Sequence, residues 1–591
     1  MGPAAARLHP PEPEATLDAF FDWYYRTNPV SATFIGIHRH DHRLPDYSPA
    51  AIEQALAAIE TLSDGLRRQR PTAPGRATTL DQELALGFLD VLRWEYASGY
   101  FHARNPSLYT GEAVFGVLSL FLRPFAPPRE RIEAAIGRMR RIPALLAQAQ
   151  HNVGQAPRAW AERSIRECTG ALAFFERGVA ILIQDEGITH SGLQAAADQA
   201  AAAFRRFKAY LESDLLPRAS APYACGADAF DLLLRRGHFV AMDAGAVLAQ
   251  AEEQVAACER QLEARAADAG ATSWREAVTR LAGRHPSPEA YYRRYRELWE
   301  AARQAAEAQA LVTWPDAPIR FVPQPRWARE AAPSLYFLFY RAPAAFDHLP
   351  VVDYLVTPVE PDMPPDEQTR RLQTNNDTAI KLTHVIHHAG LGHHVQNWYA
   401  YRASSRIGQI AAVDCASRIA VYCGGTMAEG WACYAVDLME EVGFLDPLDR
   451  VAQAQSRLRM AARAVVDVKL HCGTWALEDA ERFYQDRAGM TRDAAHAEAV
   501  KNSIFPGTAL MYLVGTRGIH DLRRDLVGRS RDFTLQRFHD RLLSYGSVPV
   551  ARISALMRAP DAPPAGSSPE KVRRRKRPRR GQLRKATPGQ S

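Results

Sequence analysis

A helical repeat of apolar residues dominates this chain and restricts it to a mainly α-helical fold. Apolar side chains recur every three to four positions through most of residues 14–310, and the Ala-rich stretches 193–215 and 247–283 show the pattern clearly. Similar patterning returns near residue 366 and continues to 557. We therefore expect a helical N-terminal lobe over residues 14–310 and further helices in the C-terminal half.

A short region between the two helical parts has a different composition. Residues 334–342 (SLYFLFYRA) and 349–361 (LPVVDYLVTPVEP) are rich in aromatic and β-branched side chains, and Pro residues punctuate the region. This composition favours short strands over helix. The sequence therefore predicts a small β-sheet near residues 311–360. Residues 311–557 would then combine this sheet with further helices.

The positive charge of the chain is concentrated at its C-terminus. The formal net charge is +7, and ten Lys or Arg residues lie between Lys571 and Lys585. The tail, 558–591, is rich in Pro, Gly and Ser and cannot bury a core, so we expect it to be disordered. The remainder of the chain is close to neutral. Nucleic acid is expected to bind only non-specifically, through the tail.

No membrane segment is predicted. No apolar run approaches the roughly 20 residues that a membrane-spanning helix needs. The chain does not start with the basic and then apolar regions of a secretory signal, and residues 1–13 are expected to be disordered. These features predict a cytoplasmic protein without a membrane partner.

The segment Thr383–Gln396 carries the strongest chemical signal in the sequence. Five of the 19 histidines lie within eleven positions of it, at His384, His387, His388, His393 and His394. A histidine cluster followed by an acid on a later helix suits Zn²⁺, whose tetrahedral sites combine imidazoles with a carboxylate and leave one position open. Glu429, within the sequence AEGWA, is the natural third ligand.

Spacing alone leaves two histidine pairs open as metal ligands. His387 and His393 are six residues apart, which rotates the side chain by about 240° in an ideal helix, so they converge only if the neighbouring glycines distort the helix. His384 and His388 have the i, i+4 spacing that meets on one face of a regular helix. Both pairs remain candidates on geometry.

The histidine segment and the later acidic motif together resemble a bacterial protein family, the domain of unknown function 885. Its signature runs His-Glu-Ala-x-Pro-Gly-His-His-x-Gln and is followed by Glu-Gly-Trp-Ala, which residues 429–432 match. The first signature is matched at His387, Ala389, Gly392, His393, His394 and Gln396. Further similar segments occur at 18–48, 104–109, 506–515 and 533–550, so the resemblance covers about residues 14–557.

This resemblance implies a largely helical, two-lobed, zincin-like fold around a deep cleft, similar in logic to the helical metallocarboxypeptidases. The metal-site lobe, 311–557, would form one catalytic unit with the N-terminal lobe, 14–310. It implies a divalent metal, most simply Zn²⁺, held by His387, His393 and Glu429. It therefore selects one of the two histidine pairs, and the expected partner is a peptide or small-molecule amide substrate.

The chain departs from the family signature at one chemically decisive position. His388 stands where the family has the Glu that would polarise the attacking water, and Leu391 stands where it has Pro. A metallohydrolase needs a group that takes a proton from water and passes it to the leaving amine. An imidazole can do this near neutral pH, although its cationic form is repelled by a metal. His388 is therefore the candidate base, and ordinary peptidase chemistry is in question.

Four further residues are candidates for catalysis or for supporting it. Arg463, Asp467 and His471 share one helix face, where Asp467 can bridge the two cations; a structural ion-pair ladder is the alternative. We expect His471 to be catalytic. Tyr512 is a candidate phenol for stabilising an oxyanion, with a core tyrosine as the alternative.

The remaining candidates are predicted to contact substrate or to hold the metal ligands in place. They are His394, Arg463, Asp467 and Trp431. Trp431 and the aromatic run Tyr336–Tyr340 are candidates to line a substrate groove, although aromatics at such positions are more often core residues.

Three functions are compatible with these motifs. The first is a metal-dependent hydrolase acting on an amide, peptide or related C–N bond. The second is a pseudoenzyme that binds a peptide or small molecule without turnover, as the lost Glu suggests. The third is a non-hydrolytic iron or copper enzyme, since a histidine-rich site without that Glu no longer requires zinc.

Overall fold

The computed structural model describes most of the chain and is mainly helical. The described residues are 13–69, 77–190, 192–329, 331–332, 344–347, 349–412, 417–529 and 532–559. Two segments predicted to be disordered lie almost wholly outside the described residues: only Pro13 of the N-terminal segment and residues 558–559 of the tail are described. Residues 334–342 also lie outside the described residues.

The α-helices follow one another along most of the described chain. In the N-terminal half they are α1 Pro13–Thr27, α2 Pro29–Ile35, α3 Pro49–Arg68, α4 Ala77–Ser98, α5 Pro106–Leu118, α6 Pro128–Met139, α7 Ile142–Asn152, α8 Arg158–Ala173, α9 Val179–Asp185, α10 Gly192–Tyr210, α11 Ala227–Leu232, α12 Ala244–Asp268, α13 Trp274–Ala282 and α14 Tyr291–Ala308. In the C-terminal half they are α15 Arg326–Arg329, α16 Pro365–Thr374, α17 Asp377–Ala379, α18 His393–Ala400, α19 Arg406–Ile410, α20 Gly425–Glu441, α21 Pro447–His471, α22 Leu477–Ala488, α23 Arg492–Ile504, α24 Met511–Val527, α25 Leu535–Ser544 and α26 Val550–Arg558.

Wider and narrower helical turns extend or join these helices. The π-helical segments are Phe174–Gly178, Leu211–Leu215, Leu233–Gly237, Ile380–Ala389 and Ala420–Gly424, and the 3₁₀ turns are His38–His40, Leu216–Arg218 and Pro288–Ala290. The predicted mainly helical fold is confirmed.

The predicted small sheet is also confirmed, with two parallel strands. β1 (Ile319–Pro323) pairs with β2 (Val352–Val356), and Ile319 lies opposite Val352. The second strand falls within the aromatic and β-branched stretch that indicated it. Its residue Tyr354 is buried, so the strand is anchored in the core.

One continuous apolar core draws on both halves of the chain. Its buried side chains run from Leu17 in α1 to Met557 in α26. Within it, α20 packs closely on α24, because a Cβ atom at Gly430 would lie 2.6 Å from the backbone carbon of Gly515. The close crossing fixes the position of the helix that carries Glu429.

A cavity of about 1500 Å³ lies between the N-terminal helices and the C-terminal half. Side chains of α4 and α5 line one part of its wall, and the π-helix Ile380–Ala389, α20 and α21 line another. Among the described residues, no helix combines the length and apolar character that crossing a membrane requires.

Candidate metal centre

A glycine-rich turn brings His387 and His393 together. The turn joins the π-helix Ile380–Ala389 to α18, which begins at His393. A Cβ atom at Gly392 would overlap the carbonyl oxygen of His387, and the amide of Gly392 donates to the carbonyl of Ile386 at 2.9 Å. Glycine is therefore required where the chain reverses tightly onto the preceding helix. The distortion that the spacing demanded is supplied at this turn.

Trp431 holds this turn against the helix that carries Glu429. Its indole Nε1–H donates to the carbonyl oxygen of Leu391 at 2.8 Å, and the side chain is fully buried. Because Glu429 lies two residues earlier in α20, one hydrogen bond links the histidine turn to the carboxylate helix. Trp431 thus positions the site and does not line the cavity.

The structure brings His387, His393 and Glu429 to a common point. The Nε2 atoms of His387 and His393 lie 3.3 Å and 3.7 Å from the same carboxylate oxygen, Oε2 of Glu429. Glu429 is 4% exposed and His393 1% exposed, and both His387 and Glu429 line the cavity.

This arrangement fits a zinc ion. Ligand atoms about 2.0–2.1 Å from a tetrahedral Zn²⁺ are separated from one another by about 3.3 Å, close to the two distances observed. Two imidazoles and one carboxylate are also a donor set that Zn²⁺ accepts while keeping a position for water or substrate.

The carboxylate of Glu429 is held in its ionised form. Although burial opposes ionisation, the imidazoles of His387 and His393 hold its pKa well below its usual value. An ionised carboxylate supplies a metal ligand without first losing a proton.

His388 lies beside these three residues in a defined orientation. Its Nδ1 lies 2.8 Å from the carbonyl oxygen of Thr383, which can only accept, so Nδ1 carries the hydrogen and Nε2 carries the lone pair. His387, His388 and His393 each place a ring nitrogen within 4.8 Å of the other two. Burial, together with the neighbouring imidazoles, lowers the pKa of His388 well below its usual value, so the ring is neutral.

The rival histidine pair does not converge in the structure. His384 Nδ1 lies 2.8 Å from the hydroxyl of Tyr354, and Nε2 lies 3.2 Å from Oδ1 of Asn375. Burial lowers the pKa of His384 to about 4. Both ring nitrogens are therefore committed to protein partners, one turn away from the cluster.

Only one half of the expected bridge through Asp467 is formed: His471 Nε2 lies 3.7 Å from Oδ1 of Asp467, whereas Arg463 has a different acidic partner. Arg463 pairs with Glu498, its Nε lying 2.5 Å from Oε1, and its guanidinium sits 4.8 Å from the centre of the Tyr512 ring. Arg463 and Tyr512 both line the cavity. Of the four candidates on α21 and α24, these two therefore lie at the cavity wall.

Asp467 and His471 instead organise the loop between α23 and α24. Asp467 accepts hydrogen bonds from the amides of Gly507 (3.0 Å) and Leu510 (2.9 Å), and His471 Nε2 lies 3.0 Å from the carbonyl oxygen of Asn502. Both side chains are fully buried, and burial raises the pKa of Asp467 to about 7 and lowers that of His471 to about 4. Neither residue reaches the cavity, so the structure does not place His471 where it would contact substrate.

The remaining candidates lie apart from the metal ligands. His394 is buried, and its Nε2 lies 2.8 Å from the carbonyl oxygen of Ala317, which ties α18 to the segment before β1. The aromatic run Tyr336–Tyr340 lies outside the described residues.

Sequence reasoning missed two groups that shape the site. Glu498 is 35 positions from the arginine it pairs with, beyond any local spacing rule; a buried arginine signals only that some acid must be near it. The carbonyl oxygen of Thr383 belongs to the backbone and is invisible to residue patterns.

The chain belongs to the family described as "Bacterial protein of unknown function (DUF885)", whose model matches residues 29–557. No curated protein matches it. Two solved structures share its fold. A "putative lipoprotein of unknown function from Shewanella oneidensis" is 21% identical with a TM-score of 0.74, covering 93% of this chain and 100% of that one. A "putative lipoprotein from Colwellia psychrerythraea" is 19% identical with a TM-score of 0.71, covering 92% and 98%.

Proposed function

We propose that this member of the DUF885 family is a metal-dependent hydrolase that acts on a peptide, amide or related C–N bond. One observation carries the proposal: two imidazole nitrogens and a buried carboxylate oxygen meet beside a cavity of about 1500 Å³. The proposal includes a zincin-like relationship and a two-lobed cleft around this centre.

His387, His393 and Glu429 would hold the metal, most simply Zn²⁺. When bound, such an ion polarises a carbonyl group and makes water nucleophilic near neutral pH. The protein keeps the three ligands in place through the Gly392 turn and the indole of Trp431.

His388 would move the proton in this reaction. Because Nδ1–H of the neutral ring is anchored on Thr383, Nε2 carries the lone pair that would accept the proton of the attacking water. The same nitrogen then donates that proton to the departing amine. The backbone carbonyl of Thr383 stabilises the ring while it carries both protons.

Tyr512 would stabilise the negative charge that develops on the substrate oxygen. Its ring lies against the Arg463 guanidinium on the cavity wall, and Glu498 in turn fixes Arg463. A phenol O–H aimed at a developing oxyanion is a common source of stabilisation.

The test is hydrolysis of a panel of short peptides and amides by the zinc-loaded protein. We expect turnover that a chelator abolishes, a loss of about 10²–10⁴-fold in kcat for His388→Ala, and recovery in His388→Glu because a carboxylate also accepts the proton. His384→Asn is the matched control and should retain the wild-type rate. Wild-type turnover that His388→Ala leaves unchanged would contradict the role given to His388.

A pseudoenzyme is the second candidate, favoured by the single observation that His388 replaces the acidic residue of the family signature. It expects an inert wild type that still binds peptides, and activity that appears only in His388→Glu. The three clustered histidines also keep a non-hydrolytic iron or copper centre open, which metal analysis distinguishes.

A cytoplasmic location remains a prediction. The lipoprotein descriptions of the two solved structures make the cell envelope the alternative location for this chain, and fractionation of cells that express the full chain separates the two.

A further inference from the structure

The wall of the cavity formed by α4 and α5 contains two acidic groups with carboxylate oxygens that lack hydrogen-bond partners. Glu112 lines the cavity from α5, and its Oε2 is buried with no hydrogen-bond partner. Among the described residues, Glu112 also has no ion pair. A buried carboxylate without a partner is costly, so a wall that retains one requires an explanation.

A second buried carboxylate lines the same part of the cavity. Glu95 in α4 is 7% exposed; its Oε2 lies 3.2 Å from Nε of Arg418, but its Oε1 is buried without a hydrogen-bond partner. Burial raises the pKa of Tyr96 to about 12, and the charges of Glu95 and Glu112 both add to this rise, so the two carboxylates lie around one phenol.

Arg418 does not neutralise this wall. Its guanidinium is committed to Glu95 and is stacked 3.9 Å from the ring centre of Phe101. One guanidinium therefore lies near two carboxylates and is paired with only one of them, Glu95. Burial raises the pKa of Glu112 to about 7, against the opposing charges of Arg418 and Arg138, as expected for a carboxyl group that lacks a close cation.

A third oxygen at this wall lacks a hydrogen-bond partner. The hydroxyl of Ser107, in the first turn of α5, is buried without one, and Ser107 lines the cavity. The wall therefore presents three acceptors, Oε2 of Glu112, Oε1 of Glu95 and Oγ of Ser107. A primary ammonium group has three N–H donors and a positive charge.

We propose that this wall, built from Glu95, Ser107 and Glu112, binds a primary ammonium group of the substrate, such as the free α-amino group of a peptide. The cavity of about 1500 Å³ also contains the proposed metal centre and exceeds the roughly 300–1,000 Å³ of sites for small ligands. A short peptide anchored by its amine would extend from the α4–α5 wall toward His387. This inference rests on the proposed function, since it names the substrate class of that cavity.

An ammonium is a better match than a second metal ion. In the described part of the chain, three or more His, Cys, Asp or Glu ligand atoms come together only at His387, His388 and His393. Two carboxylates and a hydroxyl beside a guanidinium suit a hydrogen-bonding organic cation.

Binding of an uncleavable amine tests the inference separately from hydrolysis. Calorimetric titration of the full-length protein with 4-phenylbutylamine and with the neutral 4-phenylbutanol compares ligands of similar size that contain no amide bond. We expect the amine to bind about tenfold more tightly, because hydrogen bonds to charged groups are stronger than neutral ones. Equal affinities, or no binding of the amine, would overturn the inference whether or not the protein hydrolyses peptides.

Two variants locate the effect. Glu112→Gln keeps the side-chain shape and should remove the preference for the amine, whereas Glu53→Gln, at an exposed position of α3, should retain it. A preference that survives Glu112→Gln would overturn the assignment of the wall.

A final comparison distinguishes the two sources of the ammonium group. If the α-amino group is recognised, N-acetylation of a peptide substrate should raise KM about tenfold, and a lysine side chain in the acetylated peptide should not restore it. If the lysine restores the low KM, the wall binds side-chain amines. If acetylation does not change hydrolysis, the wall binds neither kind of ammonium group in the substrate, while the proposed hydrolase activity still stands.

Discussion

Two buried polar clusters in the C-terminal half differ in where their atoms point. In the first, His387, His393 and Glu429 direct two nitrogens and one oxygen at a common point. In the second, Asp467 and His471 direct theirs at backbone groups of the loop between α23 and α24. Both clusters combine histidine with an acidic residue. We propose that the first is arranged for a ligand.

The difference lies in the identity of the hydrogen-bond partners. Backbone N–H and C=O groups complete the polar requirements of Asp467 and His471, so that cluster stabilises a loop. In the first cluster, two imidazole nitrogens lie beside one carboxylate oxygen, an arrangement that a bound cation would complete.

The largest effect is expected where backbone geometry creates the first cluster. Gly392→Ala adds a Cβ against the carbonyl oxygen of His387, so we expect a loss of about 3 kcal/mol in unfolding free energy together with loss of bound metal. Gly245→Ala is the control, since its Cβ meets only an ordinary contact at 3.5 Å. Urea unfolding and metal analysis measure both quantities. A Gly392→Ala protein with wild-type stability would show that the turn is not tightly constrained.

The second cluster should affect stability and not metal binding. Asp467→Ala leaves the amides of Gly507 and Leu510 without their buried acceptor, and we expect the unfolding free energy to fall by about 2–3 kcal/mol. The metal content per folded chain should not change. Loss of metal from a folded Asp467→Ala protein would contradict the division between the two clusters.

The reverse result is expected for the carboxylate of the first cluster. Glu429→Gln keeps the size of the side chain but removes its charge, so metal affinity should fall by at least about a hundredfold while the protein stays folded. Competition with a chromophoric chelator measures the affinity. An unchanged affinity would remove Glu429 from the ligand set.

The smallest effect on metal is expected at His384. Replacing it with Asn breaks its hydrogen bonds to Tyr354 and Asn375, which should cost about 1 kcal/mol of stability. Metal affinity should stay within about twofold of wild type, because neither ring nitrogen faces the cluster. A larger drop would place His384 among the ligands.

The helical class of the fold was predictable because apolar spacing records which helix faces are buried. The sheet was only partly predictable. Tyr354 lies in a stretch whose composition signalled a strand, whereas the short β1 around Phe321 has no distinct signal and becomes a strand by pairing with β2.

The site was predictable as a set of residues but not as a geometry. Motif resemblance selected His387, His393 and Glu429, while ideal helical rotation argued against the histidine pair because it ignores the turn at Gly392. Helical spacing also suggested that Asp467 bridges Arg463. In the structure Arg463 pairs with Glu498, and Asp467 accepts from backbone amides after Pro506. These partners come from other elements of the fold, and spacing along one helix carries no information about them.

Elemental analysis of purified variants tests directly whether His387, His393 and Glu429 hold one divalent metal. We predict about one equivalent of zinc per chain in the wild type and in His384→Ala, and a small fraction of that in His393→Ala, as removal of one of three protein ligands implies. Circular dichroism confirms that each variant is folded. Zinc lost from folded His384→Ala but retained by His393→Ala, or a wild type that takes up no metal on reconstitution, would contradict the account.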